Sequence, residues 1–292
     1  MNPIAGALRE LLVRYLDAWT PGAVHGARGA TFAYGWSDTP DEATAEAALR
    51  VFAEFADRLR GRRLAVVLVG PAVGSLGARM DAVQAELGTP PELSVHFVEG
   101  PLDERLPVAL KAIGAAGAPL LAFLDGAGPA SLAAAGAGKP AEVLLVSGTG
   151  LALPSPPMPL TAHVELVADA GGDARLVTFA TVAGKGLEAF KNALWAVDEY
   201  AGVRYRDPRD PEGHLLDISL SPHPGPLRRE LLAHLRAAGP RTVTELRHFT
   251  LTQTVYRASD TVRVLHALLA AGTVTRSPDR GRLGGDVLIA IP

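Results

Sequence analysis

The sequence contains no cysteine. That excludes a disulfide framework, a thiolate metal site, an iron–sulfur cluster and a cysteine nucleophile. Long apolar runs are also missing. The longest, around Ala112 to Leu124, is broken by Gly114, Gly117 and Pro119, whereas roughly 20 apolar residues are needed to cross a bilayer. The opening segment MNPIAGALRELLVRYL carries charges inside its apolar pattern and lacks a small-residue cleavage site, so it does not read as a secretory leader. A cytoplasmic protein with no membrane partner is expected. A strong charge of either sign is absent too: the net charge of −3 offers no global attraction to nucleic acid. Lysine is scarce beside arginine, alanine and glycine, which reads as the codon bias of a GC-rich genome rather than as function. No G-x-S-x-G elbow, P-loop, H-E-x-x-H or G-x-G-x-x-G is present. The eight histidines are scattered with none paired at metal-ligand spacing, so no metal site is expected. His163, His214 and His223 read as ordinary surface or satisfied residues.

What is present is core material: 48% of the 292 residues are hydrophobic, enough for two domains at roughly 150 residues each. Ala7 to Trp19 reads as an amphipathic helix stopped by Pro21 and Gly22. Short apolar strands then alternate with helices. Strands are expected at Ala30 to Tyr34, Leu64 to Val69, Leu93 to Val98, Pro119 to Leu124 and Val143 to Val146. Helices are expected at Glu42 to Leu59, Leu76 to Leu87, Leu102 to Ile113 and Ala130 to Ala135. Five such units specify a parallel sheet covered by helices on both faces.

The pattern changes after the proline-rich stretch Pro154 to Pro159. His163 to Ala168 and Arg175 to Val182 flank Asp169-Ala-Gly-Gly-Asp173, a hairpin with a glycine turn. Five parallel units ended by an antiparallel hairpin distinguish a class I methyltransferase sheet from a dinucleotide-binding one. The expected fold class is therefore α/β, with a Rossmann-like sheet of the methyltransferase type. A helix follows over Gly186 to Tyr200. Arg204 to Glu212 is polar and proline-containing, and is read as a boundary between domains at residues 1–210 and 222–292. Beyond it, helices over Pro226 to Ala237, Thr242 to Leu251 and Ser259 to Ala271 precede the strands Val274 to Arg276 and Val287 to Ile289. Three helices and a hairpin of this size make a winged helix-turn-helix.

Ligands of such sheets bind at the carboxyl ends of the strands near the topological switch point. The first strand ends in Tyr34-Gly35-Trp36-Ser37-Asp38, where Gly35 would permit close backbone approach and Asp38 would supply polar contacts. The second ends at Gly70, where a ribose-binding carboxylate is usual. The fourth ends in Phe123-Leu-Asp-Gly-Ala-Gly128, and Asp125 on that strand tip is the catalytic or substrate-contacting candidate. An ordinary strand-to-helix turn and a helix-capping aspartate are the competing structural explanations. Ser147-Gly-Thr-Gly150 resembles a phosphate-cradling loop only distantly. Lys191-Asn192 and Asp198-Glu199, around Trp195, read as a solvated helix face with a buried tryptophan. In the C-terminal unit, Arg257, Ser259 and Arg263 open the expected recognition helix, and Arg276, Arg280 and Arg282 lie on the expected wing. Arginines at these two places could contact phosphates and base edges.

The chain resembles the three-Cys-motif partner proteins along nearly its whole length. The matching patterns are LRELLVRYLDAW at residues 8–19, AEAALRVF at 45–52, FLDGAG at 123–128 against the family's F-L-D-P-F-G, FKNALW at 190–195, and Thr242 to Thr275. The resemblance implies a methyltransferase domain followed by a winged helix, S-adenosylmethionine as cofactor, and a protein with a three-cysteine motif as partner. By that resemblance Tyr34, Gly35, Asp38 and Gly70 would line the cofactor, and Asp125 would orient the methyl acceptor. The chain departs from the family at those same places. The first loop reads Phe32-Ala-Tyr-Gly-Trp36 instead of D-x-F-A-G-P-G, Gly70 replaces an acid, and Gly126 and Ala127 replace the proline and phenylalanine. Three readings follow: a methyltransferase acting on nucleic acid or another acceptor, a catalytically inactive relative serving as a binding or regulatory partner, and a DNA-binding regulator.

Overall fold

The computed structural model describes residues 2–150, 153–169, 171 and 173–292. The first helix, α1, spans Pro3–Gly26 and is capped by Asn2, whose side chain accepts from the Ile4 and Ala5 amides. It runs through Pro21, where the sequence predicts a stop. The carbonyl that Pro21 leaves unbonded belongs to Asp17, an exposed residue, while Ala23 and Val24 continue the buried stripe.

The alternation then unfolds much as the sequence predicts: β1 Gly29–Trp36, α2 Glu42–Glu54, β2 Arg63–Gly70, α3 Gly74–Leu87, β3 Leu93–Glu99, α4 Leu102–Ala112, β4 Leu120–Asp125, α5 Pro129–Ala135 and β5 Ala141–Gly148. The helix expected to reach Leu59 ends at Glu54 and gives way to a tighter 3-10 turn over Ala56–Leu59. The hairpin follows as β6 Leu160–Ala168 and β7 Ala174–Thr181. Of the glycine turn expected between them, Ala170 and Gly172 lie outside the described residues. Helix α6 covers Gly184–Leu194, ending six residues before the expected Tyr200.

Strand order in the sheet is β3-β2-β1-β4-β5-β7-β6, with β1 to β5 parallel and β7 antiparallel to both of its neighbours. The sheet continues through residues that read as a linker. Strand β8, Val203–Arg206, pairs antiparallel with β6, and β9, Leu215–Leu216, pairs with β8. The polar side chains there are sheet contacts: Arg206 meets Glu165 at 2.5 Å and Arg204 meets Asp169 at 2.8 Å. Side-chain alternation sends Phe32, Tyr34 and Trp36 to the face covered by α1, α2, α3 and α6. Ala33, Val67, Leu120, Ala122, Leu124 and Val143 face the opposite side, under α4 and α5. This is an α/β fold around a large mixed sheet. Among the described residues, no helix is long and apolar enough to cross a membrane.

The C-terminal unit comprises α7 Gly225–Ala238, β10 Arg241–Thr242, α8 Val243–Gln253, α9 Ala258–Ala270, β11 Thr275–Ser277 and β12 Leu288–Ala290, with sheet order β10-β12-β11. Thr242 caps α8 as its position predicts, in a reciprocal capping box with Glu245. Lys191 departs from the expected solvated face. It is 1% exposed, and its Nζ donates to the carbonyls of Thr250, Leu251, Thr254 and Tyr256 at 2.5–3.2 Å. The first two belong to the last turn of α8, whose carbonyls have no partner within the helix and sit at the negative end of its dipole. Trp195 adds an indole N–H to the Val255 carbonyl at 3.0 Å. Two side chains of the sheet's own helix layer thus satisfy five carbonyls of the α8–α9 turn.

Replacing Lys191 by Met keeps the apolar stem but removes the donor from the Leu251, Thr254 and Tyr256 carbonyls, while Thr250 keeps the Thr254 hydroxyl. We expect Lys191→Met to cost about 3–5 kcal/mol in urea unfolding, far above an exposed Lys substitution. A second buried charge is Glu142 on β5, which accepts from Tyr15 Oη at 2.8 Å and Thr181 Oγ1 at 3.3 Å. Burial raises its carboxyl above the usual 4.5. The folded chain therefore holds that proton more tightly than the unfolded one, and this group's contribution falls as pH climbs through the raised value. Glu142→Gln should remove the decline, so its stability relative to the native chain should rise with pH from about 4.5. A flat difference between the two profiles would refute the assignment.

Candidate functional site

The strand order reverses between β1 and β4, so the crest formed by their carboxyl ends is where a ligand crevice belongs. All the crest residues singled out from the sequence lie there, but the structure divides them into two halves.

Over β1 and β2 the crevice is filled from within. The Trp36 ring is fully buried, donates Nε1–H to the Pro71 carbonyl at 2.8 Å, and packs on Tyr34 with 5.1 Å between ring centroids. Gly70 lies directly beneath it. A Cβ on Gly70 would overlap the indole ring and stand 2.6 Å from the Trp36 carbonyl oxygen. The glycine is there to admit the tryptophan. Gly35 has a similar role on the opposite face, where an added Cβ would come within 2.5 Å of Leu102 at the start of α4. Tyr34 is buried, and its hydroxyl accepts from the Asp41 amide at 2.9 Å. Asp38 is exposed. Of the four residues expected to hold a cofactor, three are thus committed to internal packing.

The residues present do not fit S-adenosylmethionine. The place for a ribose-binding carboxylate is a glycine covered by indole, and the close approach that Gly35 would allow is taken by Leu102. No catalytic step can be derived through that cofactor here.

Over β4 and β5 the crest is more open. Asp125 ends β4, and its carboxylate has no hydrogen-bond or ion-pair partner among the described residues; burial raises it, Arg175 opposes that, and Asp38 adds to it. A cavity of about 160 Å³ adjoins it, lined also by Asn2, Val146 and Arg175. Small-molecule sites commonly measure about 300–1,000 Å³, so this one suits only a small group. The glycines after Asp125 are again structural. Gly126 adopts φ 77° and lies against Ser37, while Gly128 packs under Asp103, which accepts from the Gly128 and Ser131 amides at 2.9 and 3.2 Å. Gly148, in the distant likeness of a phosphate loop, ends β5 with open space around it.

The arginines of the C-terminal unit also divide. Arg257 donates to Asp260 and to the Leu220 carbonyl. Arg263 donates to the Pro222 carbonyl and Asp260, and Asp260 itself is 4% exposed. Arg276 bonds the carbonyls of Pro278, Gly281 and Arg282, holding the β11–β12 loop in shape. Ser259, Arg280 and Arg282 are exposed. The structure therefore places Arg257 and Arg263 against the 217–224 segment, while Arg280 and Arg282 are exposed on the β11–β12 loop.

Trp36 stands in the sequence as part of a loop and Lys191 as part of a solvated face, and both are buried. The strand alternation Phe32, Tyr34, Trp36 marks the first as buried. Leu187, Phe190, Lys191 and Leu194 at helical spacing place the second on the apolar stripe.

No family model matches the chain, and no curated protein matches it. Among solved structures it is similar to a predicted O-methyltransferase from Agrobacterium tumefaciens, at 10% identity over 59% of this chain and 81% of that one, with a TM-score of 0.33.

Restoring an acid at Gly70 tests the packing directly. Gly70→Asp should lose about 1–3 kcal/mol in chemical unfolding through overpacking against Trp36. The double variant Gly70→Asp with Trp36→Gly should cost less than the two single losses added together. Strict additivity would show that the two residues do not share the space.

Proposed function

We propose that this protein is a non-catalytic binding or regulatory protein built on a methyltransferase-type α/β scaffold, with a winged helix-turn-helix fixed to it. The strand order, five parallel strands closed by the antiparallel β7 inserted beside β5, supports the scaffold's kinship with class I methyltransferases. The observation that carries the loss of catalysis is Trp36 seated on Gly70, because it occupies the volume an adenosyl group would need. Methyl transfer depends above all on positioning donor and acceptor, and a crevice without room for the donor cannot position it. Helices α7, α8 and α9 with the β10-β12-β11 sheet follow the winged-helix order of elements. By the sequence patterns quoted above, the kinship extends to the three-Cys-motif partner proteins, and a protein bearing such a motif is the partner class this reading offers.

A second reading, a DNA-binding regulator, is favoured by one feature. Residues 222–292 hold ten arginines against five acidic residues, and the exposed Arg280 and Arg282 have no carboxylate partner among the described residues. On that reading contact runs through the wing to phosphates, since the start of α9 is turned into the seam.

Calorimetric titration of the purified chain with S-adenosylmethionine and S-adenosylhomocysteine decides the main reading. No saturable heat is expected from either. Micromolar binding weakened by substitution at Gly35 or Asp38 would restore the enzyme reading.

A further inference from the structure

A second opening for a ligand lies away from the crest. Where the sheet edge meets the C-terminal unit there is a cavity of about 390 Å³, within the range of small-molecule sites, which favour boundaries between units. One wall is the 207–214 loop with Leu216. The other is Arg229 and Glu230 of α7 with Gln253, Val255 and Tyr256 of the α8–α9 turn.

The charged groups on these walls are unequally satisfied. Asp207 accepts the Arg209 amide at 2.9 Å and lies 3.4 Å from its guanidinium. Asp210 accepts the amides of Glu212 and His214 at 3.1 and 2.9 Å and meets the His214 ring at 2.7 Å. His214 in turn meets Glu212 at 3.1 Å. Glu230 is different. It is half-buried and has no hydrogen-bond or ion-pair partner among the described residues. Burial, with Asp207 and Asp210 nearby, pushes its carboxyl up to about 7, against the opposing pull of Arg209 and Lys191. A carboxylate withdrawn from water without a donor is unfavourable. What it lacks is an N–H-bearing cation, and Pro211, Leu216 and Pro226 supply apolar surface for a short stem beside it.

We propose that this cleft binds a small organic cation, an alkyl amine or guanidinium, whose charged head pairs with the Glu230 carboxylate. The walls come from both units, so an occupant braces the same seam that Lys191 closes. The inference goes beyond the non-catalytic reading and is independent of it: titration with the adenosyl compounds reads the crest, and titration with amines reads the cleft.

The test uses the full chain with putrescine, spermidine and agmatine as probes, followed by calorimetry and thermal unfolding at about pH 8. At least one probe should bind saturably and raise the melting temperature. Glu230→Gln should weaken that binding about tenfold or more, as loss of a charge-assisted hydrogen bond requires. Glu104→Gln, on exposed α4 surface, should leave it unchanged. Affinity of the native chain should also drop about tenfold between pH 8 and pH 6 as Glu230 takes up its proton, because the amines stay charged throughout. No saturable binding of any probe, or binding undiminished in Glu230→Gln, overturns the proposal. If that variant does not fold, the pH series decides, and an affinity that stays constant from pH 8 to pH 6 overturns it as well.

Discussion

An ammonium group taken out of water must find oxygen elsewhere, and in this protein Lys191 finds it in four backbone carbonyls of another structural unit. Much of the architecture depends on that arrangement. Helix α6 must end where it does so that Trp195 can reach the Val255 carbonyl, and Trp195 then stacks on Tyr256 at 5.6 Å between centroids. The Tyr256 hydroxyl carries the contact onward to the His223 carbonyl, and Arg257 and Arg263 extend it to Leu220 and Pro222. Hydrophobic contact alone would tolerate sliding between the units. A charged donor with several fixed acceptors does not, because each displaced carbonyl is left buried and unpaired. Burial lowers the Lys191 ammonium to about 7, and the negative end of α8 works against that loss.

The same docking changes what the proposed winged helix can present. In a DNA-reading winged helix, the turn and the first residues of the second helix face the groove. Here the carbonyls of that turn are consumed by Lys191 and Trp195, and the basic residues beside it are spent on Asp260 and on backbone. The crest behaves alike: Gly35 and Gly70, where the sequence suggests room for a ligand, are approached by Leu102 and Trp36. In both places, residues expected from the sequence to face a ligand make internal contacts instead.

Legibility in the sequence followed burial pattern. The five parallel strands and the hairpin could be placed within a few residues, since each is a short apolar run bounded by glycine or proline. Pro21 misleads because a proline on a helix's wet side loses a bond to water rather than to the core. The strand at the start of the 204–212 stretch was not legible because its charges pair across strands, Arg206 with Glu165 and Arg204 with Asp169, and composition alone cannot tell a paired charge from a solvated one. Gly35 was legible as a close approach, but not what approaches it. At Gly70 the sequence shows only that no carboxylate is present, and the neighbouring indole shows what occupies the space. Lys191 was the deepest surprise, although in a chain with four lysines one on an apolar helical stripe is already conspicuous.

Where binding capacity remains follows from where unpaired charge remains. Asp125 at the crest and Glu230 in the cleft are both carboxyls raised by burial, but their surroundings differ. Asp125 has Arg175 within electrostatic reach and about 160 Å³ beside it, and the adjoining half of the crevice is closed by aromatic packing. Glu230 has about 390 Å³ beside it and walls drawn from two units, and the nearby Asp207 and Asp210 are already held by Arg209 and His214. A ligand at the crest would contact one rigid sheet and change little else. A ligand in the cleft would touch the loop on one side and the α8–α9 turn on the other. Its binding energy would add to that of the Lys191 contact, and through mass action its concentration would set how firmly the two units are held. With the β1–β2 half of the crest filled by aromatic side chains, the seam is a place where a small molecule could be converted into a structural response.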